Sequence, residues 1–249
     1  MPRYQWNPWH GCHKCSPGCR NCYVFYCDGK RRKDANVVTR SKTNFNLPLK
    51  RTRAGGFKIP SGTELATGFT SDFFIEEADP WREEAWDIIR RRPDVKFLIP
   101  TKRPERVAEH LPRDWGDGWD NIALAVTAEC QEKVDERLPI LLGLPVKHKF
   151  VFVSPILEDV SLASYLETGD IEQVSVGGES YEGARTCDFD WVRHIYADCK
   201  RFGVKFDFHQ TGSNFVKDGK RYRIPHHDEY AQAKKGEAVL AMEYGEEAH

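Results

Sequence analysis

Val95-Lys96-Phe97-Leu98-Ile99 and Ile122-Ala123-Leu124-Ala125-Val126 decide the fold. Both runs are short, β-branched or aromatic and nearly continuous, as strands buried on both faces are. Four more runs share the pattern: Glu64-Leu65-Ala66-Thr67-Gly68-Phe69, Phe150-Val151-Phe152-Val153, Val174-Ser175-Val176 and Val204-Lys205-Phe206-Asp207-Phe208. Helical patterns lie between them. Asp79-Pro80 opens one, with Asp as cap, Pro in the first turn and Trp81, Ala85, Trp86, Ile88 and Ile89 on one apolar face. Pro104-Glu105-Arg106-Val107 begins a second. Residues 131–142 and 189–202 form two more, the last ending at Gly203, a C-cap residue. Alternation of this kind predicts parallel pairing through right-handed crossovers. Six or seven such units, one of them at the N-terminal cysteine loop, predict a partial or closed parallel (β/α) barrel of TIM type. A single barrel domain is expected over residues 1–225. Residues 30–62 read as a long, irregular, basic insertion after the first helix. Residues 226–249 read as a polar tail, frayed around Glu246-Glu247.

The chain has 249 residues, 40% of them hydrophobic, and a net charge of −1, so no global field drives it toward nucleic acid. There is no apolar run of membrane-spanning length and no apolar stretch of a signal peptide behind Met1, so the chain is expected in the cytoplasm and away from membranes. Thiols stay reduced there, which favours metal binding over disulfides for clustered cysteines. Half of the eight cysteines lie in one run, Cys12-His13-Lys14-Cys15-Ser16-Pro17-Gly18-Cys19-Arg20-Asn21-Cys22. Cys15, Cys19 and Cys22 have the C-x3-C-x2-C spacing that a 4Fe–4S cluster accepts, with one iron left open. Cys27, Cys130, Cys187 and Cys199 are scattered and read as small buried hydrophobes.

In a parallel α/β barrel the site lies at the C-terminal ends of the strands. The residues there are Thr70-Ser71-Asp72, Thr101-Lys102-Arg103-Pro104, Thr127 with Glu129, Ser154-Pro155, Gly177-Gly178-Glu179-Ser180 and His209-Gln210-Thr211-Gly212. Polar strand ends are ordinary taken singly, but charged residues beside a core are costly unless paired. Asp72 or Glu179 suits an ammonium. Lys102 or Arg103 suits a carboxylate, Arg103 as a bidentate fork. The Gly177-Gly178 pair lets a ligand approach the backbone. S-adenosylmethionine carries both an amine and a carboxylate, and these can chelate the open iron.

Several stretches carry a family resemblance: Asn7-Pro8-Trp9-His10-Gly11-Cys12, Ser16-Pro17-Gly18-Cys19-Arg20-Asn21-Cys22-Tyr23, Phe69-Thr70-Ser71-Asp72-Phe73 and Thr101-Lys102-Arg103-Pro104. Asp135-Glu136-Arg137-Leu138-Pro139, Gly177-Gly178-Glu179-Ser180 and Gln210-Thr211-Gly212 belong with them. Together they resemble the phage-associated three-Cys-motif family of radical S-adenosylmethionine-like proteins, itself distantly similar to spore photoproduct lyase-like proteins. The resemblance runs from about Trp6 to Pro225. It implies a radical-SAM-like barrel with a 4Fe–4S cluster and S-adenosylmethionine as cofactors. The family pattern uses Cys12, Cys19 and Cys22, with an aliphatic residue where Cys15 stands. The general radical-enzyme pattern uses Cys15, Cys19 and Cys22. The aromatic residue usual before the last cysteine is replaced by Asn21, with Tyr23 following. Cys19 and Cys22 belong to both schemes, and Cys12 and Cys15 contest the third place.

By position, the resemblance assigns Ser71 and Asp72 to the amino group of S-adenosylmethionine, and Lys102 and Arg103 to its carboxylate or to the substrate. It assigns Thr127, Glu129 and Ser154 to the ribose, Gly177, Gly178 and Glu179 to the adenosyl end, and His209 and Gln210 to the far side. The alternative is a non-enzymatic zinc-binding module for nucleic acid or a protein partner, with the four cysteines and His10 or His13 as donors. A redox pair at Cys19 and Cys22 is a third option. Basic clusters at Lys30-Arg31-Arg32-Lys33, Lys50-Arg51-Thr52-Arg53, Arg90-Arg91-Arg92 and Lys220-Arg221-Tyr222-Arg223 raise nucleic acid or a nucleotide as a substrate class. A partner protein is compatible with the sequence.

Overall fold

A computed structural model of the chain describes residues 4–245. They form two compact units, the first from residues 4–15, 24–126 and 143–149, the second from residues 16–23, 127–142 and 150–245.

The sheet of the first unit holds β1 (Tyr4–Trp6), β4 (Glu64–Thr67), β5 (Lys96–Thr101) and β6 (Ile122–Thr127, whose last residue passes to the second unit), in that order and all parallel. Leu65 pairs with Tyr4 on one side and Phe97 on the other, and Ile99 pairs with Leu124. Leu65, Phe97, Ile99 and Val126 are completely buried, which is why these strands read as continuous apolar runs. The short β1 is set by Trp6, completely buried with its indole N–H donating to Phe45 O at 2.9 Å. Helix α2, in chain order after α1 (Tyr23–Lys30), spans Asp79–Arg90 and buries Ala85, Trp86, Ile88 and Ile89. Asp79 is its first helical residue and not its cap. The carboxylate pairs with Arg82 and Arg106. The expected helix at Pro104 is instead two short 3-10 turns, Pro104–Arg106 and Ala108–His110. Leu111 precedes Pro112 and is held extended, so the helix has no room to grow.

The insertion after α1 is irregular, as expected, but it is anchored. Strand β3 (Thr39–Arg40) pairs antiparallel with β2 (Trp9–His10), the strand that leads into the cysteine run. Phe45, Pro48 and Ile59 are buried. Arg92, with no exposed surface, donates to Pro48 O, to Ile59 O at 2.8 Å and to Asp94 at 2.8 Å.

In the second unit α3 (Gln131–Gly143) and α4 (Ala163–Leu166) flank β7 (His148–Val153, entering from the first unit), and β8 (Ile171–Gly177) follows. Strand β9 (Cys187–Asp188) leads directly into α5 (Phe189–Phe202). Then comes β10 (Lys205–Gln210), parallel to β8, and the strand order is β7-β8-β10. Asp188 caps α5 by accepting from Asp190 N at 3.0 Å, and Gly203 ends it at φ 69°, the left-handed position where glycine is favoured. In both units each strand–helix step adds the next strand in chain order. That is the progression of a parallel (β/α) barrel, not of a doubly wound sheet, whose order reverses. The fold is therefore α/β with parallel strands, consistent with a partial barrel.

Two features depart from expectation. Strands β11 (Asn214–Lys217) and β12 (Lys220–Arg223) form a hairpin, with β9 added parallel to β11. Its turn residues, Asp218 at φ 53° and Gly219 at φ 70°, have the positive φ pair of a two-residue hairpin loop. The expected polar tail contains helix α6 (Glu229–Glu243), packed on β10 with Ala233 and Leu240 completely buried. Glu246-Glu247 lies outside the described residues. No helix among the described residues is long and apolar enough to cross a membrane.

Replacing Arg92 by Ala removes four hydrogen bonds made by a side chain with no exposed surface. We expect a loss of about 2–4 kcal/mol in urea unfolding, and early cleavage within residues 44–59 on limited proteolysis.

Candidate functional site

Three carboxylates follow parallel strands, and each is bound to a neighbour of the cysteine run. Asp72 is 4% exposed. Its Oδ1 accepts from Phe74 N at 2.9 Å and Thr101 Oγ1 at 2.8 Å, and its Oδ2 from Lys102 N at 2.9 Å and Arg103 Nη1 at 3.1 Å. With four donors in place, Asp72 positions Arg103. The guanidinium of Arg103 reaches Cys12 Sγ at 3.9 Å and donates to His13 O at 2.9 Å. Burial works against the charge of Arg103, but Asp72, Cys15 and Cys12 more than offset it and hold the pKa above the ordinary value. A cation so placed favours the thiolate, the form that binds metal. Ser71 Oγ donates to Gly11 O, and Gly11 N donates to Thr70 O at 3.1 Å. Gly11 has φ 95°, and a Cβ there would lie 2.4 Å from Val37 O, so only glycine fits before Cys12. Cys12 N in turn donates to Ala35 O at 2.8 Å.

Glu129 and Glu179 act on the second half of the run. Glu129, completely buried, accepts from Gly18 N at 2.8 Å and from Arg137 Nη1 at 3.1 Å. A side chain at Gly18 would meet Glu129 Cδ at 2.9 Å, so glycine is needed for this approach. Glu179 is 6% exposed and accepts from Asn21 Nδ2 at 2.9 Å, Arg185 N at 2.8 Å and the Arg185 guanidinium. Arg185 also donates to Pro17 O at 3.0 Å. Burial pushes the Glu179 pKa up, but the Arg185 and Asn21 hydrogen bonds bring it below the ordinary carboxylate value. Residues 16–22 are thus tied to Glu129 and Glu179 at Gly18 and Asn21. Cys19 is buried with Ser16 Oγ at 3.6 Å from its sulfur, and Cys22 is half-buried.

The remaining strand-end residues fall into two groups. Gly177 and Gly178 make room for protein, not for a ligand: their Cβ atoms would lie 2.5 Å from His209 Nε2 and 2.3 Å from Thr211 O. His209 is buried, which pushes its pKa down and keeps it neutral, and its Nε2 lies 3.2 Å from Ser154 Oγ. Gln210 Nε2 donates to Gly178 O at 2.6 Å. By contrast, Lys102 is half-buried and its ammonium has no hydrogen bond or ion pair among the described residues. Thr127 is buried, and its carbonyl accepts from Arg137 at 2.7 Å. Beyond these, Ser180 and Ser213 both donate to the buried Glu229 at the start of α6, at 2.5 and 2.6 Å, and Ser213 N donates to Glu179 O at 2.8 Å.

None of the eight cysteines is joined in a disulfide among the described residues. Cys12 and Cys15 belong to the first unit, Cys19 and Cys22 to the second. Among the described residues no group of three or more His, Cys, Asp or Glu side chains is arranged as a metal site. The donor chemistry nevertheless suits a metal: four reduced thiols on one braced run, two of them close to a guanidinium. His10 and His13 are already paired with Asp28 and Glu77. Cys130, Cys187 and Cys199 are buried and their pKa values are pushed up, that of Cys199 to about 12, as expected of small hydrophobes. Cys27 is only half-buried. The sequence alone assigns no role to Asn21, Arg137, Arg185 or Glu229. Asn21 and Arg137 lie in stretches that carry the family resemblance, but nothing in those stretches points to Glu179 or Glu129.

The class that fold and site define is a parallel α/β protein with a cysteine run braced by buried carboxylates. Residues 3–243 match a family described as "Protein of unknown function (DUF5131)", and the chain belongs to that family. No curated protein and no solved structure matches it.

The depressed pKa of Glu179 fixes a pH dependence. Its stabilisation is complete above the ordinary value of 4.5 and is lost as pH falls through the lower folded-state value. Glu179→Gln is expected to cost about 2 kcal/mol at pH 7. The gap between variant and wild type should narrow as pH falls below 4.5, measured by denaturant unfolding across pH.

Proposed function

We propose that the chain is a radical S-adenosylmethionine enzyme on a partial TIM-type barrel. Cys19 and Cys22, with Cys12 or Cys15, would hold a 4Fe–4S cluster. The observation that carries this reading is that three buried strand-end carboxylates, Asp72, Glu129 and Glu179, all act on the cysteine run. A loop serving only as a connection has no use for three desolvated charges. When bound, the cluster and S-adenosylmethionine supply reductive cleavage of the sulfonium and hydrogen abstraction from a substrate.

The chain's own residues then divide the remaining work. Asp72 orients Arg103, and Arg103 favours the thiolate of Cys12. Glu129 and Glu179 fix the backbone around Cys19 and Cys22. Lys102, whose ammonium has no hydrogen bond or ion pair among the described residues, is the cation best placed to take the carboxylate of S-adenosylmethionine. Ser71 keeps lone pairs for an ammonium while donating to Gly11 O. The fixed backbone at Gly11 and Cys12 favours Cys12 as third ligand over the exposed Cys15.

Protein purified without oxygen should be brown, with absorbance near roughly 400 nm from iron–sulfur charge transfer. It should release 5′-deoxyadenosine when reduced with S-adenosylmethionine. A colourless protein that carries stoichiometric zinc after anaerobic reconstitution with iron and sulfide would overturn the proposal in favour of a zinc module. Cys12→Ala should abolish the absorbance, whereas Cys15→Ala should retain it. In the reconstituted protein, Lys102→Met should weaken S-adenosylmethionine binding by about tenfold, measured by equilibrium dialysis, with the absorbance unchanged.

A further inference from the structure

The insertion over residues 30–63 carries a charge imbalance found nowhere else in the chain. It opens with Lys30-Arg31-Arg32-Lys33 and continues with Arg40, Lys42, Lys50, Arg51, Arg53 and Lys58, while its only acid is Asp34. The whole chain has a net charge of −1, so the remainder is strongly acidic. One carboxylate cannot balance ten cations, and that of Asp34 is turned to Asn36, accepting from its N and Nδ2, both at 2.9 Å. Among the described residues only Arg40 of the ten cations is paired with a carboxylate, that of Glu84. Lys50 and Arg51 donate to the carbonyls of Thr43 and Gly55. Arg31, Arg32, Lys33, Lys42, Arg53 and Lys58 are exposed, and their side-chain cations have no hydrogen bond or ion pair among the described residues.

The cluster at residues 90–92 contrasts with this one, whereas Lys220, Arg221 and Arg223 stand exposed on the short strand β12. Arg90 is paired with Asp87 and Asp114, and Arg92 is buried against Asp94, so those charges serve the fold. The insertion is also held firmly enough to present a surface. Its backbone is pinned by Arg92 at Pro48 and Ile59 and by the buried Phe45. It bears directly on the cysteine run: Ala35 O accepts from Cys12 N at 2.8 Å, Val37 O closes over Gly11, and β3 pairs with β2.

We propose that the insertion is a nucleic-acid docking surface, which holds a phosphate backbone beside Cys12. Uncompensated, exposed Lys and Arg on an anchored backbone are what a polyphosphate chain neutralises, with release of its counterions. Such contacts position without reading sequence, and no bidentate base-reading constellation is needed. As a substrate assignment this rests on the function proposed above. Binding itself needs neither cluster nor S-adenosylmethionine, so it is tested separately.

The test is fluorescence anisotropy of the full chain with 24-mer single-stranded DNA, duplex DNA and RNA, from 50 to 200 mM salt. No reductant or S-adenosylmethionine is added. At least one of the three should bind with a dissociation constant of about 10 μM or better at 50 mM salt, with log affinity falling linearly against log salt. The triple variant Lys42→Glu, Arg53→Glu, Lys58→Glu should bind at least tenfold more weakly and lose about 0.9 in slope per phosphate contact removed, with an unchanged melting temperature. Lys220→Glu, Arg221→Glu, Arg223→Glu, a reversal of the same size on the exposed β12, should leave binding unchanged. Absence of binding at 50 mM salt, equal affinity for polyglutamate, or equal losses in the two triple variants would each overturn the proposal. Failure here leaves the cluster assignment standing, and failure of the cluster assay leaves the binding result standing.

Discussion

A carboxylate buried as completely as Glu129 cannot remain charged unless donors surround it. The donors it meets are the amide of Gly18 and the guanidinium of Arg137. The first lies in the cysteine run and the second on α3, so a charge that the core cannot tolerate unpaired dictates where the run must lie. Glu179 repeats the arrangement with Asn21 and Arg185, and Asp72 repeats it through Arg103. Each carboxylate gains its stability from the segment that it positions. The geometry of the thiols is therefore a by-product of satisfying buried charge, and removing any of the three acids would also release backbone around a cysteine.

Much of the fold was legible in the sequence because burial on both faces leaves a simple trace. Phe97, Ile99, Leu124 and Val126 stand in runs with no alternation, and α5 begins and ends where Asp188 and Gly203 place it. Less regular elements left weaker traces. Strand β1 has one deeply buried residue, Trp6, in three. Helix α6 presents only a thin apolar stripe through Ala233 and Leu240, amid residues that suit a solvated tail equally well. The β11–β12 hairpin did carry a signal, Asp218-Gly219 between paired runs, but the run after the turn is wholly polar. The turn before Pro112 also left a trace, since a proline there denies the preceding segment a full helix.

The strand-end residues were legible as a set, but their partners were not. Sequence order places Asp72, Glu129 and Glu179 just after β4, β6 and β8, every second strand of the progression. It does not say that their donors are Arg103, Gly18 and Asn21, which lie 31, 111 and 158 positions away along the chain. Glycine was ambiguous for a related reason. Gly177 and Gly178 imply close approach, but the approaching atoms belong to His209 and Thr211. Lys102 and Arg103 are neighbours of like charge, and only the structure separates them: the guanidinium of Arg103 is held by Asp72, and the ammonium of Lys102 has no hydrogen bond or ion pair among the described residues.

The seat of Glu229 has a temporal side. It accepts from Ser180 and Ser213, on either side of the backbone contact between Ser213 and Glu179, and it stands at the head of the last helix. A ribosome delivers the cysteines first and Glu229 some two hundred residues later. The nascent chain therefore carries Cys19 and Cys22 in a loop whose bracing is incomplete until the final helix emerges and docks on β10. The bracing of Cys19 and Cys22 thus draws, through Ser213 and Glu179, on a residue far later in the chain.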